Sequence, residues 1–328
     1  MKGLFIINPS SGKQVNQGKA IQAAAELLTD GVIEEATFFY TRAKDDAKNR
    51  TIQASREDYD FVVAVGGDGT VNEVVAGLYL SKSKMPLAIF PSGTVNDFAT
   101  SVGITPTVTN LYYLIKDFNV LPTDIGCFNE KQYFLNVAAG GILSDVAHSV
   151  SVESKTLLGK TAYITNGVKK IAEKGFKTTR LLFEIDGKRE EIDVYFFIFA
   201  NSKSVGGFSK ICADAKINDG YMDLCIVKSL DVMNALPVFT AVLDGSLKNN
   251  KQVEYRQARD VKIFATDESE EFHLDCDGEY AGELPLHVEV LQAAVNLLLP
   301  TESRKTKQIV ASTDEAEKYL ISDFNKFI

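Results

Sequence analysis

The sequence lacks three features that each mark a class of protein. It has no run of about 18 or more apolar residues, so no membrane-spanning helix is expected. Its opening residues, MKGLFIINPSSG, contain too short an apolar run for a secretory signal, which indicates a cytoplasmic protein. It also lacks a basic excess: the net charge is −9, whereas nucleic-acid-binding domains are usually strongly basic. No nucleic acid partner is therefore expected.

Cysteine is scarce, and its spacing argues against the usual cysteine-based sites. The chain has four cysteines, none in a CxxC pair and none with a histidine at ligand spacing: Cys127, Cys212, Cys225 and Cys276. Free cysteine is among the residue types most often buried. We therefore expect four buried, reduced thiols rather than disulfides or a zinc site.

The length and the order of the sequence patterns indicate two domains. A chain of 328 residues is too long for one ordinary core. Residues 1–124 alternate strand and helix patterns, which predicts an α/β domain with a doubly wound parallel sheet. From residue 125 to 300 strand patterns dominate, which predicts a mainly antiparallel β-sandwich. Within it, residues 133–141 and 272–280 each predict a single strand.

The stretch Phe61–Ala76, FVVAVGGDGTVNEVVA, is the most informative in the chain. An apolar strand runs into a glycine-rich turn and then into an apolar helix. Gly66, Gly67 and Gly69 allow backbone N–H groups to approach an anion, and the helix adds the positive end of its dipole. Asp68 is favourable beside a phosphate if Mg²⁺ lies between the two anions. The turn therefore predicts a site for a metal-bound nucleotide, although a tight structural turn would use the same glycines.

A second turn has the same character. Leu87–Ala99, LAIFPSGTVNDFA, is again an apolar strand followed by small residues, and its pair Asn96-Asp97 parallels Asn72-Glu73. The carboxyl ends of parallel strands form the edge where open α/β sheets bind ligands. We therefore expect both turns to contribute to one site.

These motifs resemble the bacterial diacylglycerol kinase and related lipid kinase family. GGDGTVNEV and PSGTVNDFA are followed by NDGYMDL at 218–224 and LDCDGE at 274–279, in that family's order, and NPSSGK at 8–13 resembles its first nucleotide loop. The resemblance covers nearly the whole chain. It implies Mg²⁺- and ATP-dependent transfer of the γ-phosphoryl group to the hydroxyl of diacylglycerol or a related lipid, giving phosphatidic acid. It also implies that residues from about 301 to 328 return to the first, nucleotide-binding domain.

The resemblance and the chemistry of the turns together assign the candidate site residues. The nucleotide-binding set comprises the turn residues and one residue after the second strand: Asn8, Pro9, Ser10, Ser11, Gly12, Thr41, Gly66, Gly67, Asp68, Gly69, Thr70, Val71, Asn72, Glu73, Thr94 and Asn96. Glu279 matches the family's catalytic glutamate and would accept the hydroxyl proton, since the neighbouring acids of LDCDGE favour proton uptake. By resemblance, Asp68, Asp277 and Asp124 are further acidic residues of the catalytic cleft.

The motif NDGYMDL predicts a second metal site. In the resembling family a structural Mg²⁺ is held by one aspartate and two main-chain carbonyls, which match Asp219, Lys216 and Tyr221. The alternative is a purely structural Asx-Gly turn at Asp219, which would have the same sequence.

A basic segment suggests how an acidic protein reaches a lipid. Residues 151–180 carry seven basic and two acidic side chains, a net charge of +5. We expect the basic segment, residues 155–180, to dock on an anionic membrane surface, at the inner face of the membrane; a solvated helix face is the alternative.

Two other functions stay open, and so does the oligomeric state. NAD kinases share the GGDGT turn, and a non-catalytic lipid-binding regulator would have the same fold. Nothing in the sequence excludes a homodimer.

Overall fold

The structure is a computed structural model, and the residues that it describes cover most of both predicted domains. These residues are 1–12, 14–141, 178–205, 211–228, 237–238, 241, 245–267, 272–277, 279–302 and 304. In this part of the chain no helix is long and apolar enough to cross a membrane.

The first domain is a parallel sheet with helices on both faces. Its elements are β1 (Lys2–Ile7), α1 (Gln14–Thr29), β2 (Glu35–Tyr40), α2 (Asp46–Ala54), β3 (Phe61–Gly66), α3 (Asp68–Leu80), β4 (Leu87–Pro91), α4 (Asp97–Ser101) and α5 (Val108–Asp117). The strand order is β4-β3-β1-β2, and all three pairings are parallel. Every residue of β3 is buried, as expected for a central strand covered on both faces.

The second domain is built from antiparallel strands. They are β5 (Val120–Phe128), β6 (Gln132–Phe134), β7 (Val137–Gly141), β8 (Thr179–Ile185), β9 (Lys188–Ala200), β10 (Met222–Lys228), β11 (Val253–Ala258), β12 (Asp260–Ala265), β13 (His273–Cys276), β14 (Glu279–Glu283) and β15 (Leu286–Leu298). The strand order is β14-β13-β7-β9-β8-β12-β15, with β10 and β11 branching from β9 and with β5 and β6 branching from β15. The prediction of an α/β domain followed by a β-sandwich is confirmed.

The last strand, β15, joins the two domains. It pairs antiparallel with β12 and β5, and its Leu297 pairs in parallel with Leu87 of β4. An irregularity between Leu291 and Val295 bends it on the way. The strands of both domains therefore belong to one hydrogen-bonded sheet.

Apolar side chains fill both faces of each half of the sheet. In the first domain, Ile6 and Val62 lie in the core on one face, while Phe5 and Val63 lie in the core on the other. The second domain likewise has two core clusters, one around Phe197 and one around Ile198. All four cysteines are buried and free, as predicted.

The structure differs from the predicted elements at several places. Residues 133–141 and 272–280 each predict one strand, but the first stretch breaks at 135–136, and in the second β13 ends at Cys276. The strand β11 escapes the pattern analysis because VEYRQA is polar and pairs only with β10. The predicted domain boundary at residue 124 falls inside β5.

The end of the described chain lies against the first domain. After β15, the backbone N–H of Leu299 donates to the carbonyl of Asn119, and the Arg304 guanidinium pairs with Asp117 at 3.2 Å. The rest of the predicted returning segment, residues 305–328, lies outside the described residues.

Candidate active site

Three turns of the first domain meet at the carboxyl edge of its parallel strands. They follow β1, β3 and β4. The backbone N–H of Asn8 donates to the carbonyl of Val65 at 2.9 Å, and that of Ser92 donates to the carbonyl of Gly66 at 2.8 Å. The hydroxyls of Ser11 and Ser92 are 2.9 Å apart. The structure therefore brings the predicted turns into direct contact.

Glycine is required where these turns touch. Gly12 has a φ of 63°, and a Cβ on it would lie 1.6 Å from the carbonyl oxygen of Ser92. A Cβ on Gly93 would lie 2.6 Å from the Cα of Gly67, and a Cβ on Gly66 would lie 2.4 Å from the Cβ of Thr70. Close packing is thus a second reason for these glycines, besides the approach of an anion: Gly12 and Gly93 lie against the backbone of a neighbouring turn, and Gly66 lies against the Thr70 side chain.

The helix α3 starts inside the glycine turn, at Asp68. Gly67 is its N-cap, and no side chain caps the helix there. The first N–H groups of a helix have no intrahelical acceptor, and with the dipole they attract an anion. Thr70 in this first turn is fixed by Asn8, whose Nδ2 donates to the Thr70 hydroxyl at 3.0 Å. The site therefore offers backbone donors to a phosphate.

Asp68 lies beside two other carboxylates, Asp97 and Asp277. Burial, and then the charges of Asp277 and Asp97, raise the pKa of Asp68 to about 7. The backbone N–H of Asn96, which donates to Asp68 Oδ2 at 3.2 Å, opposes that rise. Magnesium in nucleotide sites is held by one or two carboxylates together with phosphate oxygens. Asp68, beside uncapped N–H groups, therefore has the chemistry of a single carboxylate ligand for a metal that a nucleotide brings with it.

Asp277 is held by donors from two domains. Its Oδ1 accepts the backbone N–H of Val137 at 2.7 Å, and its Oδ2 accepts those of Leu135 and Asn136 at 3.2 and 3.3 Å. The side-chain Nδ2 of Asn72, on α3, donates to the same Oδ2 at 2.8 Å. Burial raises the pKa of Asp277 to about 6, although these hydrogen bonds lower it. Asp277 therefore connects α3, the helix that begins in the glycine turn, to the β-sandwich.

The predicted base, Glu279, begins β14, two residues after Asp277. Its backbone pairs with Cys276 across the β13–β14 hairpin. Asp277 occupies the turn of this hairpin with a φ of 49°, a left-handed conformation that aspartate tolerates better than most residues. The backbone of Glu279 therefore lies next to the carboxylate that joins the domains.

Several predicted nucleotide residues have structural partners. The two Glu73 oxygens accept the backbone N–H groups of Asp45 and Ala47, both at 3.0 Å, so Glu73 holds the start of α2. Val71 is buried in the core, and its backbone N–H donates to the carbonyl of Gly67 at 3.1 Å. Thr41 is also buried, and its N–H donates to the carbonyl of Ile7.

Two of the remaining turn residues, Asn8 and Asn96, order their own turns by hydrogen bonds. Asn8 Oδ1 accepts both the backbone N–H and the hydroxyl of Ser10, which orders the first turn. Asn96 closes the third turn, since its amide bonds both the N–H and the carbonyl of Gly93. Thr94, in that turn, is exposed and available to a ligand.

Asp124 lies apart from these turns and connects three segments. It is 1% exposed, its Oδ2 accepts the backbone N–H of Gly220 at 2.6 Å, and its Oδ1 accepts that of Ala293 at 2.7 Å. Ala293 lies at the bend of β15, with a φ of 49°. Asp124 thus stabilises the bend, and its catalytic role stays a prediction.

The turn at Asp219 has the geometry of an Asx turn. Asp219 Oδ1 accepts the backbone N–H of Tyr221 at 3.1 Å, and its Oδ2 accepts from the Gln257 amide at 3.3 Å. Within the described residues no three His, Cys, Asp or Glu side chains are grouped to hold a metal ion. The magnesium site of Lys216, Asp219 and Tyr221 stays a prediction.

Three further residues of the site around Asp68 and Asp277 were not among the predicted site residues. Asp97 was noticed only as a partner of Asn96 in the turn motif, yet its charge acts on Asp68. Asn136 lies inside the predicted strand 133–141, and Ser204 lies four residues after the end of β9. Neither belongs to a motif, and no local signal in the sequence marks them.

Two family models match the chain, one for each domain. Residues 2–128 match the diacylglycerol kinase catalytic domain, and residues 136–299 match the YegS C-terminal NAD kinase beta sandwich-like domain. The two matches are separated by the segment that contains β6. They therefore divide the chain close to the end of β5.

Known relatives are similar over both domains. The diacylglycerol kinase of Bacillus subtilis strain 168 is 33% identical over 299 residues, which are 91% of this chain and 96% of the relative. That of Staphylococcus aureus strain Newman is 31% identical over 298 residues, 91% of this chain and 92% of the relative. A crystal structure from Bacillus anthracis, described as a candidate diacylglycerol kinase, has a TM-score of 0.75 at 26% identity and covers 91% of this chain and 95% of its own.

Proposed function

Because the chain belongs to the diacylglycerol kinase family, we propose that it transfers the γ-phosphoryl group of ATP to the hydroxyl of diacylglycerol, which gives phosphatidic acid. A lipid kinase of this kind is a phosphotransferase with an alcohol acceptor. The observation that carries the proposal is the meeting of three glycine turns with Asp68 and Asp277 at one edge of the sheet. Phosphoryl transfer needs such a site, since it depends on positioning and on charge stabilisation.

The nucleotide is assigned to the three turns. The backbone N–H groups at the start of α3 would donate to phosphate oxygens, and the first turn, residues 8–12, would cover them from the side of β1. Gly67 supports this, because a Cβ there would meet only the backbone of Gly93, at 3.2 Å, and the remaining space is open to a ligand.

Asp68 is assigned to the metal that accompanies the nucleotide. Mg²⁺ at this position would neutralise charge on the transferring phosphoryl group. In the neutral pH range the carboxylate is only partly ionised, because its pKa is raised to about 7 by burial and by Asp277 and Asp97. A cation beside Asp68 would favour its ionised form.

Glu279 is assigned as the base that accepts the hydroxyl proton. Its position two residues after Asp277 supports this role, since Asp277 is fixed by the backbone of residues 135–137 and by Asn72. A base must lie within hydrogen-bond reach of the hydroxyl. A hairpin anchored at Asp277 would keep Glu279 close to the glycine turns.

The lipid is proposed to reach the site at an anionic membrane surface. The basic segment, residues 155–180, lies almost entirely outside the described residues. The chain enters and leaves this region beside β9, because Gly141 pairs with Phe196 and Thr179 pairs with Val194. Several basic side chains in one segment would attract a surface that contains anionic lipid.

The test is a phosphate-transfer assay with radiolabelled ATP. Diacylglycerol in phosphatidylglycerol vesicles is expected to give labelled phosphatidic acid in the presence of Mg²⁺. Labelled NADP from NAD would favour a cofactor kinase, the second candidate, because residues 136–299 match a NAD kinase-like sandwich. No transfer to either acceptor, with diacylglycerol still bound, would indicate a lipid-binding regulator.

A further inference from the structure

A short strap after β9 reaches from the second domain into the carboxylate cluster, which consists of Asp68, Asp97 and Asp277. The strap, residues 201–205, carries two buried hydroxyls, Ser202 and Ser204. The Ser204 hydroxyl donates to Asp97 Oδ1 at 2.8 Å, with Ser204 1% exposed and Asp97 8% exposed. This bond therefore joins the β-sandwich to the start of α4, out of contact with water.

The strap is held by the same backbone segment that holds Asp277. Asn136 Nδ2 donates to the carbonyl of Ser204 at 2.9 Å, and the N–H of Asn201 donates to the carbonyl of Asn136 at 2.8 Å. The N–H of Asn136 donates in turn to Asp277. Asp97 and Asp277 are thus both anchored to residues next to β7.

Asp97 and Asp277 are also the two carboxylates whose charges act on Asp68. Asp68 belongs to the nucleotide turn, while Asp277 belongs to the hairpin that carries Glu279. The alignment of the two halves of the site therefore includes polar contacts between the domains. Asn72 supplies one of them by its bond to Asp277, and Ser204 supplies another.

We propose that Ser204 is a positioning residue for phosphoryl transfer: its hydroxyl fixes Asp97 beside Asp68 and so keeps the acceptor domain aligned with the nucleotide turns. The proposal rests on the proposed function. It assigns Ser204 no contact with substrate. Because the three turns are held by bonds within the first domain, loss of the Ser204 hydroxyl should leave nucleotide binding nearly unchanged and affect the transfer step.

The first experiment compares Ser204→Ala with Ser202→Ala in the vesicle assay. Ser202 lies on the same strap and is equally buried, but its hydroxyl donates to Asn136 Oδ1 and does not contact Asp97. Ser204→Ala is expected to lower kcat about tenfold, which corresponds to about 1.4 kcal/mol, while the KM for ATP changes less than twofold. Ser202→Ala is expected to change kcat much less. Equal losses in both variants would overturn the proposal, since they would reflect the strap rather than Asp97.

The second experiment is a double-mutant cycle with Asp97→Asn. If Ser204 acts through Asp97, then Ser204→Ala should lower kcat little further in the Asp97→Asn background. Additive losses would overturn the proposal. If the proposed function is wrong, wild-type protein will form no phosphatidic acid in the vesicle assay. That result would refute the positioning role as well. Wild-type activity without coupling would refute the positioning role alone.

Discussion

Asp68→Asn is predicted to stabilise the ligand-free protein at neutral pH. Burial and two neighbouring carboxylates raise the pKa of Asp68 from 3.8 to about 7. In the unfolded chain the same group ionises near pH 4. Between these values the folded state binds more protons than the unfolded state, so this group's contribution to stability is fully present below about pH 4 and is lost as the pH rises through 7. An amide at this position stays uncharged as the pH rises, so the Asp68→Asn variant avoids this loss of stability.

The size of the effect follows from the pKa change. One pKa unit corresponds to about 1.4 kcal/mol, so a rise of this extent would cost at most about 4 kcal/mol. Asp68 is partly exposed, and water screens its repulsion by Asp277 and Asp97. We therefore expect Asp68→Asn to raise the free energy of unfolding by about 1–2 kcal/mol at pH 8, and by less towards pH 4.

The measurement is urea unfolding of the two proteins at pH 8 and pH 5, with EDTA and without nucleotide. Asp58→Asn is the matched control, because Asp58 is an exposed aspartate whose pKa is lowered by Lys2. That control should not be stabilised. An Asp68→Asn midpoint equal to or below the wild-type midpoint at pH 8 would refute the reasoning about the carboxylate cluster. The stabilised variant should at the same time lose Mg-ATP binding, as expected where function requires an unfavourable charge.

Three further predictions concern the base, the nucleotide turn and the membrane. Glu279→Gln should keep ATP affinity in calorimetry but lower turnover roughly 100-fold or more, because a general base typically contributes that much; near-normal turnover would exclude Glu279 as the base. Gly67→Val should abolish Mg-ATP binding in calorimetry because its methyl groups would fill the phosphate space, whereas Gly18→Ala, with nothing within 4 Å of its Cβ, should bind normally. Replacing Lys169, Lys170 and Lys174 by Glu should abolish sedimentation with phosphatidylglycerol vesicles, because each lysine near the surface contributes about 1 kcal/mol of binding free energy. Activity on a short-chain soluble acceptor should be unchanged, and equal losses on both acceptors would assign the lysines to the site or the fold.

The parts of the fold that the sequence predicts are those with local signals. The α/β alternation of the first domain and the glycine turns depend on apolar periodicity and on small residues, and both are visible within a few positions. The start of α3 at Asp68 is not visible in the local sequence, because Gly67 and Gly69 are typical of a loop. In the structure the turn itself is the first turn of the helix, and tertiary contact with Gly93 overrides the low helix propensity of glycine.

The parts that escape prediction depend on contacts between distant segments. Glu73 was assigned to the nucleotide, yet its oxygens cap α2, and no local pattern indicates a partner 26 residues away. The strand breaks at residues 135–136 because their backbone N–H groups donate to Asp277 instead of to a neighbouring strand. Asn136 and Asp277 are 141 positions apart in the sequence. Ser204 reaches Asp97 across 107 positions. Such bonds can be found only once the fold is known.

The path of β15 has a consequence for synthesis of the chain on the ribosome. Phe128 of β5 pairs with Val288, and Leu87 of β4 pairs with Leu297. At about 5–20 residues per second, the early strands wait roughly 8–40 seconds for the late strand that pairs with them. During that interval β4 and β5 present unpaired edges, which are sites of aggregation. A nascent chain stalled before residue 286 should therefore depend on chaperones to stay soluble, whereas one stalled after residue 299 has emerged should be able to complete both domains together.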